Sequence, residues 1–315
     1  MFALCVESSH ARGMGHFFRA LNLARALVRA GRACKIFINA HEPALRLLHD
    51  AGLGHAVVDL LDLGSDWEGR LVAKDGIRIW VNDRHDTDSR HAANVKRKNI
   101  PLATFDDHGS GAALADLHIA ALALDPTEKL SGRRVLRGID YLILNPEISR
   151  YRRIRREAKR LLVTLGGSDT YGVTVKVVRC LRAAGRTGTV IVGPGFRHDA
   201  ELAESLGPGF ALKRGVPSLV AEFADYDWAV TGGGITPFEA NASGLPCIIV
   251  ANEPFEVPIA LGLEKLGGSV FAGHHAKMDG SIFTRDLPVE KMSKAGMERI
   301  DLKGADRVVA ELMAL

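Results

Sequence analysis

An imidazole stands where a glycine-bearing turn would deliver it to a ligand. In the run Arg12-Gly13-Met14-Gly15-His16-Phe17-Phe18-Arg19, the glycines let the backbone approach a bound group and the start of the following helix offers unpaired N–H groups. His16 adds a side chain that exchanges protons near neutral pH. That combination suits general acid/base work, the alternative being a first-turn helix residue with no chemistry. A dinucleotide fingerprint would need a third glycine where Phe18 stands, and no acidic residue rescues the pattern, so nicotinamide chemistry is disfavoured.

Two further glycine loops follow apolar runs. Gly166-Gly167-Ser168-Asp169 opens a helix and could either accept phosphate or form a tight connection from strand to helix. Thr231-Gly232-Gly233-Gly234-Ile235-Thr236-Pro237-Phe238-Glu239 is the most informative stretch. Three successive glycines bare their N–H groups at a helix mouth, Pro237 stands in its first turn, and the positive end of the dipole is expected to face an anion such as a diphosphate. Glu239, one turn in, could accept from ribose hydroxyls or merely complement the dipole.

Phe105-Asp106-Asp107-His108 reads as a strand-end turn lining a cleft rather than a closed metal ligand set. His274-His275 reads as an exposed loop pair. A G-x-S-x-G elbow and a P-loop are both absent, which argues against a serine hydrolase and a P-loop kinase.

Positioning such loops requires strands that all deliver their ends to one edge, and the chain has that pattern. Short apolar runs alternate with helical segments, as in βαβ units with parallel sheets. In the first half, strands are predicted at 2–6, 33–38, 77–81, 101–105 and 140–144, with helices at 16–30, 43–51 and 88–98. In the second half, strands are predicted at 160–165, 189–192, 228–231 and 246–250, with a closing helix at 305–315. The 315 residues suit two domains of roughly 150 residues each. The boundaries expected are 1–148, a solvated basic linker at 149–159, and 160–315, with the last helix able to pack back towards the first domain.

Composition narrows the partners. With 47% hydrophobic and 25% charged residues the chain reads as globular. Its net charge of +4 is too small and too spread to suggest nucleic acid. Cys5, Cys34, Cys180 and Cys247 lack CxxC spacing and read as reduced thiols. No stretch approaches the ~18 apolar residues of a membrane span, and residues 2–6 look like a strand rather than a leader, so a cytoplasmic location is expected.

Five motifs in order carry a resemblance: Gly13-Met14-Gly15-His16 with Arg19 and Leu23-Ala24; Asp83 and Phe105-Asp106-Asp107; Gly166-Gly167-Ser168-Asp169; Thr231-Gly232-Gly233-Gly234 with Glu239; and Gly244-Leu245-Pro246 followed by Asn252. The chain resembles the UDP-sugar hydrolases of the pseudaminic acid pathway and the spore-coat polysaccharide glycosyltransferase-like proteins. It is similar in turn to the transferase that adds N-acetylglucosamine to lipid I.

The resemblance implies an α/β, GT-B fold of two Rossmann-like domains whose parallel sheets face each other across a cleft, with no metal and no cofactor. The second domain would bind UDP through Gly167, Ser168, Gly232, Gly233, Gly234, Ile235 and Thr236, with Glu239 on the ribose. His16 and Asn252 would be catalytic. Gly13, Gly15, Arg19, Asp83, His85, Asp107 and Glu253 would contact substrate. The family's Asn-Gln pair is here Asn252-Glu253, and its Asp-x-Tyr is Asp83-Arg84-His85, which leaves the sugar open.

The function implied is hydrolysis of a UDP-sugar with inversion, for nonulosonate or surface polysaccharide synthesis. The alternatives are transfer to a sugar or lipid-linked acceptor on the same scaffold, or nucleotide-sugar binding without catalysis. A monomer or weak homo-oligomer is expected.

Overall fold

The computed structural model describes residues 1–9 and 14–315. The chain divides into two compact units, 1–143 with 303–315, and 144–302.

The first unit runs β1 (Phe2–Val6), α1 (Gly15–Arg29), β2 (Cys34–Ile38), α2 (Glu42–Asp50), β3 (His55–Val57), α3 (Trp67–Asp75), β4 (Ile79–Asp83), α4 (Ser89–Lys96), β5 (Leu102–Phe105), β6 (Leu117–Ala120) and β7 (Val135–Arg137). Its seven strands form one sheet in the order β3-β2-β1-β4-β5-β6-β7, and every pair is parallel. Alternate residues of β1 explain the layering, since successive side chains of a strand point to opposite faces. Phe2, Leu4 and Val6 join one apolar cluster with Phe17, Leu23 and Leu27 of α1, whereas Ala3 and Cys5 join another with Phe37 and Trp80, whose rings stack at 5.6 Å. Both faces are therefore covered, which is why the strand reads as an uninterrupted apolar run.

The second unit runs α5 (Ile148–Tyr151), β8 (Leu161–Thr164), α6 (Val173–Ala183), β9 (Gly188–Val192), α7 (Asp199–Ser205), β10 (Phe210–Arg214), α8 (Leu219–Glu222), β11 (Trp228–Thr231), α9 (Thr236–Ala242), β12 (Cys247–Ala251), α10 (Glu256–Leu266), β13 (Ser269–His274) and α11 (Val289–Arg299). Its six strands are parallel in the order β10-β9-β8-β11-β12-β13. The α/β class read from the sequence is borne out in both sheets.

The last helix, α12 (Gly304–Met313), belongs to the first unit. Val308, Val309 and Leu312 enter the same cluster as α1, and fully burying side chains of this size stabilises by about 1.5–3 kcal/mol each. At its start, a Cβ on Gly304 would lie 2.0 Å from the Leu142 carbonyl oxygen, so only glycine permits this approach.

Two expectations are corrected. The predicted strand at 140–144 is a short 3-10 turn at Ile139–Tyr141 followed by irregular chain. Leu142, Ile143 and Leu144 are buried all the same, because a buried apolar run needs a core and not a ladder. The basic segment at 149–159 is solvated only in part: residues 156–159 are exposed, but the segment belongs to the second unit and Arg155 is fully buried. The Arg155 guanidinium donates to the carbonyls of Phe223 at 2.7 Å, Arg153 at 3.1 Å, Tyr226 at 3.3 Å and Ser243, while its backbone N–H donates to Ser293 Oγ at 2.9 Å.

Candidate functional site

Each sheet reverses its winding direction once, between β1 and β4 in the first unit and between β8 and β11 in the second. Ligands of open α/β sheets bind beyond the carboxyl ends of strands at such points. The glycine loops of the sequence fall at these two places.

In the first unit, β1 and β4 are neighbours in register, Val6 opposite Asp83, so the loop after β1 and the last residue of β4 share one sheet edge. His16, the second residue of α1, places Nδ1 2.7 Å from Asp83 Oδ1. An ionised carboxylate can only accept, so Nδ1 carries the proton and the lone pair lies on Nε2. The imidazole is about one-fifth exposed. Burial pushes the Asp83 carboxyl up, but the Arg19 guanidinium and the His16 bond outweigh it, and the group sits below its usual range.

Arg19 lies one helical turn beyond His16, on the same face. It donates from Nε to Asp83 Oδ2 at 2.9 Å, from Nη2 to Asp83 Oδ1 at 2.6 Å, and from Nη1 to Asp106. Its guanidinium also covers the Phe105 ring at 5.0 Å. Arg19 and Asp83, expected to touch substrate, are therefore buried and engaged with each other. Asp107 is likewise committed: its carboxylate accepts from the N–H groups of Thr87 and Gly109, both at 2.9 Å, and from Thr104 Oγ at 2.6 Å. It ties the loops after β4 and β5 together.

His85 stays partly exposed, hydrogen-bonded to Asp86 at 3.1 Å and with its ring 4.9 Å from that of His108. Gly15 has open space where a Cβ would project, so packing does not demand a glycine there. Gly13 lies outside the described residues. Among the described residues, no group of three or more His, Cys, Asp or Glu could hold a metal ion.

In the second unit, the triple-glycine loop follows β11. A Cβ on Gly232 would lie 2.7 Å from Asn252 Nδ2, and one on Gly233 would lie 2.6 Å from Glu256 Cβ. Glycine is required at 233 by Glu256 at the start of α10, whereas at 232 only the end of the Asn252 side chain stands in the way and Gly234 has its nearest neighbour at 3.9 Å. Sequence reasoning missed Glu256, whose Oε2 accepts from Asn252 N–H at 2.6 Å and from Gly233 N–H at 3.2 Å. Burial pushes its carboxyl up. The Gly233 donor expected for an anion is thus taken by the protein's own carboxylate, and Gly234, Ile235 and Thr236 remain nearest the helix start. Helix α9 has only seven residues, so attraction of an anion there rests on individual N–H groups more than on a long macrodipole.

Asn252 buries an Oδ1 that meets no donor among the described residues. Glu253 accepts from Tyr171 Oη at 2.8 Å, and the Tyr171 ring stacks on His275 at 4.8 Å. Tyr171 and His275 carried no motif and only the fold brings them to Glu253. In the Gly166-Gly167-Ser168-Asp169 loop, Asp169 accepts from the N–H groups of Val173 at 2.7 Å and Thr174 at 2.8 Å. The start of α6 is therefore capped internally, as a tight connection would have it. Ser168 is buried, and Gly167 packs backbone to backbone on Gly193 and Gly195.

Glu239 is half-buried and accepts from the Asn145 N–H at 3.3 Å. Burial pushes its carboxyl from the usual 4.5 up to about 7. The folded state then holds a proton up to about 7 that the unfolded chain releases near 4.5, so this contribution to stability is full below 4.5 and is lost as pH rises through 7. Glu239→Gln removes the dependence. Relative to Glu239→Gln, the native chain is expected to lose on the order of 1–3 kcal/mol between pH 4.5 and 8, read from urea unfolding at both pH values. Parallel stability curves for the two proteins would contradict the assignment.

No family model matches the chain. The structure of MurG from Acinetobacter baumannii superposes with a TM-score of 0.72 over 100% of this chain and 99% of that one, at 13% identity. The chain has the GT-B fold. The glycosyltransferase VinC in complex with dTDP also matches this GT-B chain, with a TM-score of 0.63, 16% identity, and 100% and 99% of the two chains covered. In sequence, the spore coat polysaccharide biosynthesis protein SpsG of Bacillus subtilis is 25% identical over 342 aligned residues, covering 98% of this chain and 96% of SpsG.

An uncharacterized protein of Methanocaldococcus jannaschii, MJ1062, is 24% identical over 272 residues, 79% of this chain. The chain spans about half of that protein, 55% of its length. The resemblance read from the motifs is borne out in sequence for the spore-coat protein and in fold for MurG. Among the described residues, no helix is long and apolar enough to cross a membrane.

Proposed function

We propose that this GT-B protein is a nucleotide-sugar enzyme, and that it hydrolyses a UDP-sugar with inversion at the anomeric carbon. The observation that carries the reading is the 2.7 Å bond between His16 Nδ1 and Asp83 Oδ1. It fixes the tautomer that leaves Nε2 free to take a proton, at a winding reversal where such folds bind ligands.

In this reading His16 Nε2 accepts a proton from water as the water oxygen bonds to C1. The bond from C1 to the diphosphate oxygen breaks, and UDP leaves with the electron pair. The second unit holds the nucleotide: the N–H groups of Gly234, Ile235 and Thr236 meet the diphosphate, and Glu239 meets the ribose. Stabilising charge on the leaving group this way lowers the barrier without any metal. Asn252 and Glu253 contact the sugar.

A second reading, transfer to an acceptor hydroxyl with the same base, is favoured by the solved structures similar to this chain, several of which are glycosyltransferases. One experiment separates the two. The protein is incubated with UDP-, GDP-, CMP- and dTDP-sugars, with and without candidate acceptors, and products are read by mass spectrometry. Stoichiometric free sugar and UDP without acceptor supports hydrolysis, and release that requires an acceptor supports transfer. The absence of both binding and turnover with every one of these donors would remove the proposal.

A further inference from the structure

We propose that Arg19 and Asp106 are positioning residues that set the charge behind His16, with Arg19 holding Asp83 in place and Asp106 restoring the negative charge that Arg19 cancels. The inference rests on the reading of His16 as the base. Its geometry begins with the fork of Arg19, which grips both oxygens of Asp83 at 2.9 and 2.6 Å. Two parallel bonds to one carboxylate fix its plane, and Asp83 Oδ1 is thereby aimed at His16 Nδ1.

The same grip carries a penalty for a base. Arg19 and Asp83 together are neutral, and Arg19 Nη2 lies 3.3 Å from His16 Nδ1. An imidazolium forming at His16 would face a cancelled pair and a neighbouring cation. Asp106 changes the sign. Its carboxylate receives Arg19 Nη1 on one oxygen and the Leu122 N–H at 2.9 Å on the other, so Asp83, Arg19 and Asp106 sum to one negative charge. All three are buried, where a charge acts more strongly than in water.

The backbone of Asp106 points the same way. Its φ is +41°, a left-handed conformation that costs a residue with a Cβ about 1–2 kcal/mol and costs glycine little. What the position gains for that strain is a carboxylate beneath Arg19. Among the described residues, the charged groups bonded to His16 or to its partners in this cluster are Asp83 at the end of β4, Arg19 on α1, and Asp106 after β5.

The test needs no substrate. The ring of His16 is followed by NMR titration in the full chain for the native protein, Asp106→Asn, Arg19→Gln and the double variant. Removing the carboxylate leaves a neutral cluster, so Asp106→Asn is expected to move the midpoint of the His16 titration to lower pH. Removing the guanidinium leaves two negative charges, so Arg19→Gln moves it to higher pH, and the double variant returns near the native midpoint. A merely structural role would not produce opposite shifts.

An unmoved midpoint in Asp106→Asn, or shifts of both single variants in one direction, overturns the proposal. If Arg19→Gln fails to fold, Asp106→Asn decides it alone. In turnover assays, the acidic limb of the pH–rate profile should follow the titration of Asp106→Asn while KM stays within about twofold. A titration that moves with a rate limb that does not would uphold the charge assignment and remove His16 as the base.

Discussion

Turnover of a UDP-sugar by the His16→Ala variant is expected to fall by about 10²–10⁴-fold, the usual contribution of a positioned general base. The loss should appear in kcat, with KM for the nucleotide-sugar changed by no more than a few-fold. The imidazole is partly exposed and bonded on one side to Asp83, so its removal takes away a proton acceptor rather than a support of the core. Thermal unfolding should accordingly move little. The assay is release of UDP, followed by a coupled reaction or by mass spectrometry, with circular dichroism as the check on folding. A variant that releases UDP at the native rate would show that the proton goes elsewhere.

The largest effect on stability is expected at Arg155. Its guanidinium donates to four backbone carbonyls within the second unit. Truncation to alanine leaves those acceptors without their donor and opens a void at a fully buried position. The expected cost is about 3–5 kcal/mol, the range seen when a buried charged group is removed from a satisfied network. Arg156, the next residue, is exposed, and Arg156→Ala should stay within about 0.5 kcal/mol of the native chain. Urea unfolding of the two variants measures the contrast. Equal stabilities would mean that the Arg155 network contributes nothing that solvent cannot replace.

The same pair of arginines marks where the sequence could and could not be read. In the run from Tyr151 to Arg160, each basic residue looks alike in one dimension, and only the carbonyls contributed by Phe223, Tyr226 and Ser243 single out Arg155. Contacts of that kind lie about 70 to 90 residues away in the chain. Strands such as β1 and β11 were legible because burial on both faces makes them apolar runs that lead into glycine-bearing loops. The three-residue strands β3 and β7 were too short to show a period. The run at 140–144 failed for the opposite reason, since it has the composition of a buried strand without the pairing.

Within the candidate site, the positions of His16 and the triple glycine followed from strand ends, which a βα pattern locates, whereas Asp83 followed from the resemblance alone. Their roles did not all follow. Arg19, Asp83 and Asp107 were expected to meet substrate, and the structure shows them bonded to protein groups that no motif announced. Glu256 gave no signal, because a carboxylate in the first turn of a helix usually serves only its own helix.

Helix α12 gives the first unit a discontinuous origin. Residues 1–143 hold all of its strands, yet the helix that seals one side of its core is made only after the whole of the second unit. Without residues 303–315, the α1 surface that Val308, Val309 and Leu312 cover stays exposed. A chain truncated after residue 302 would keep every strand of the first unit and leave that apolar strip bare. The older half of the polypeptide thus waits for the newest to close it.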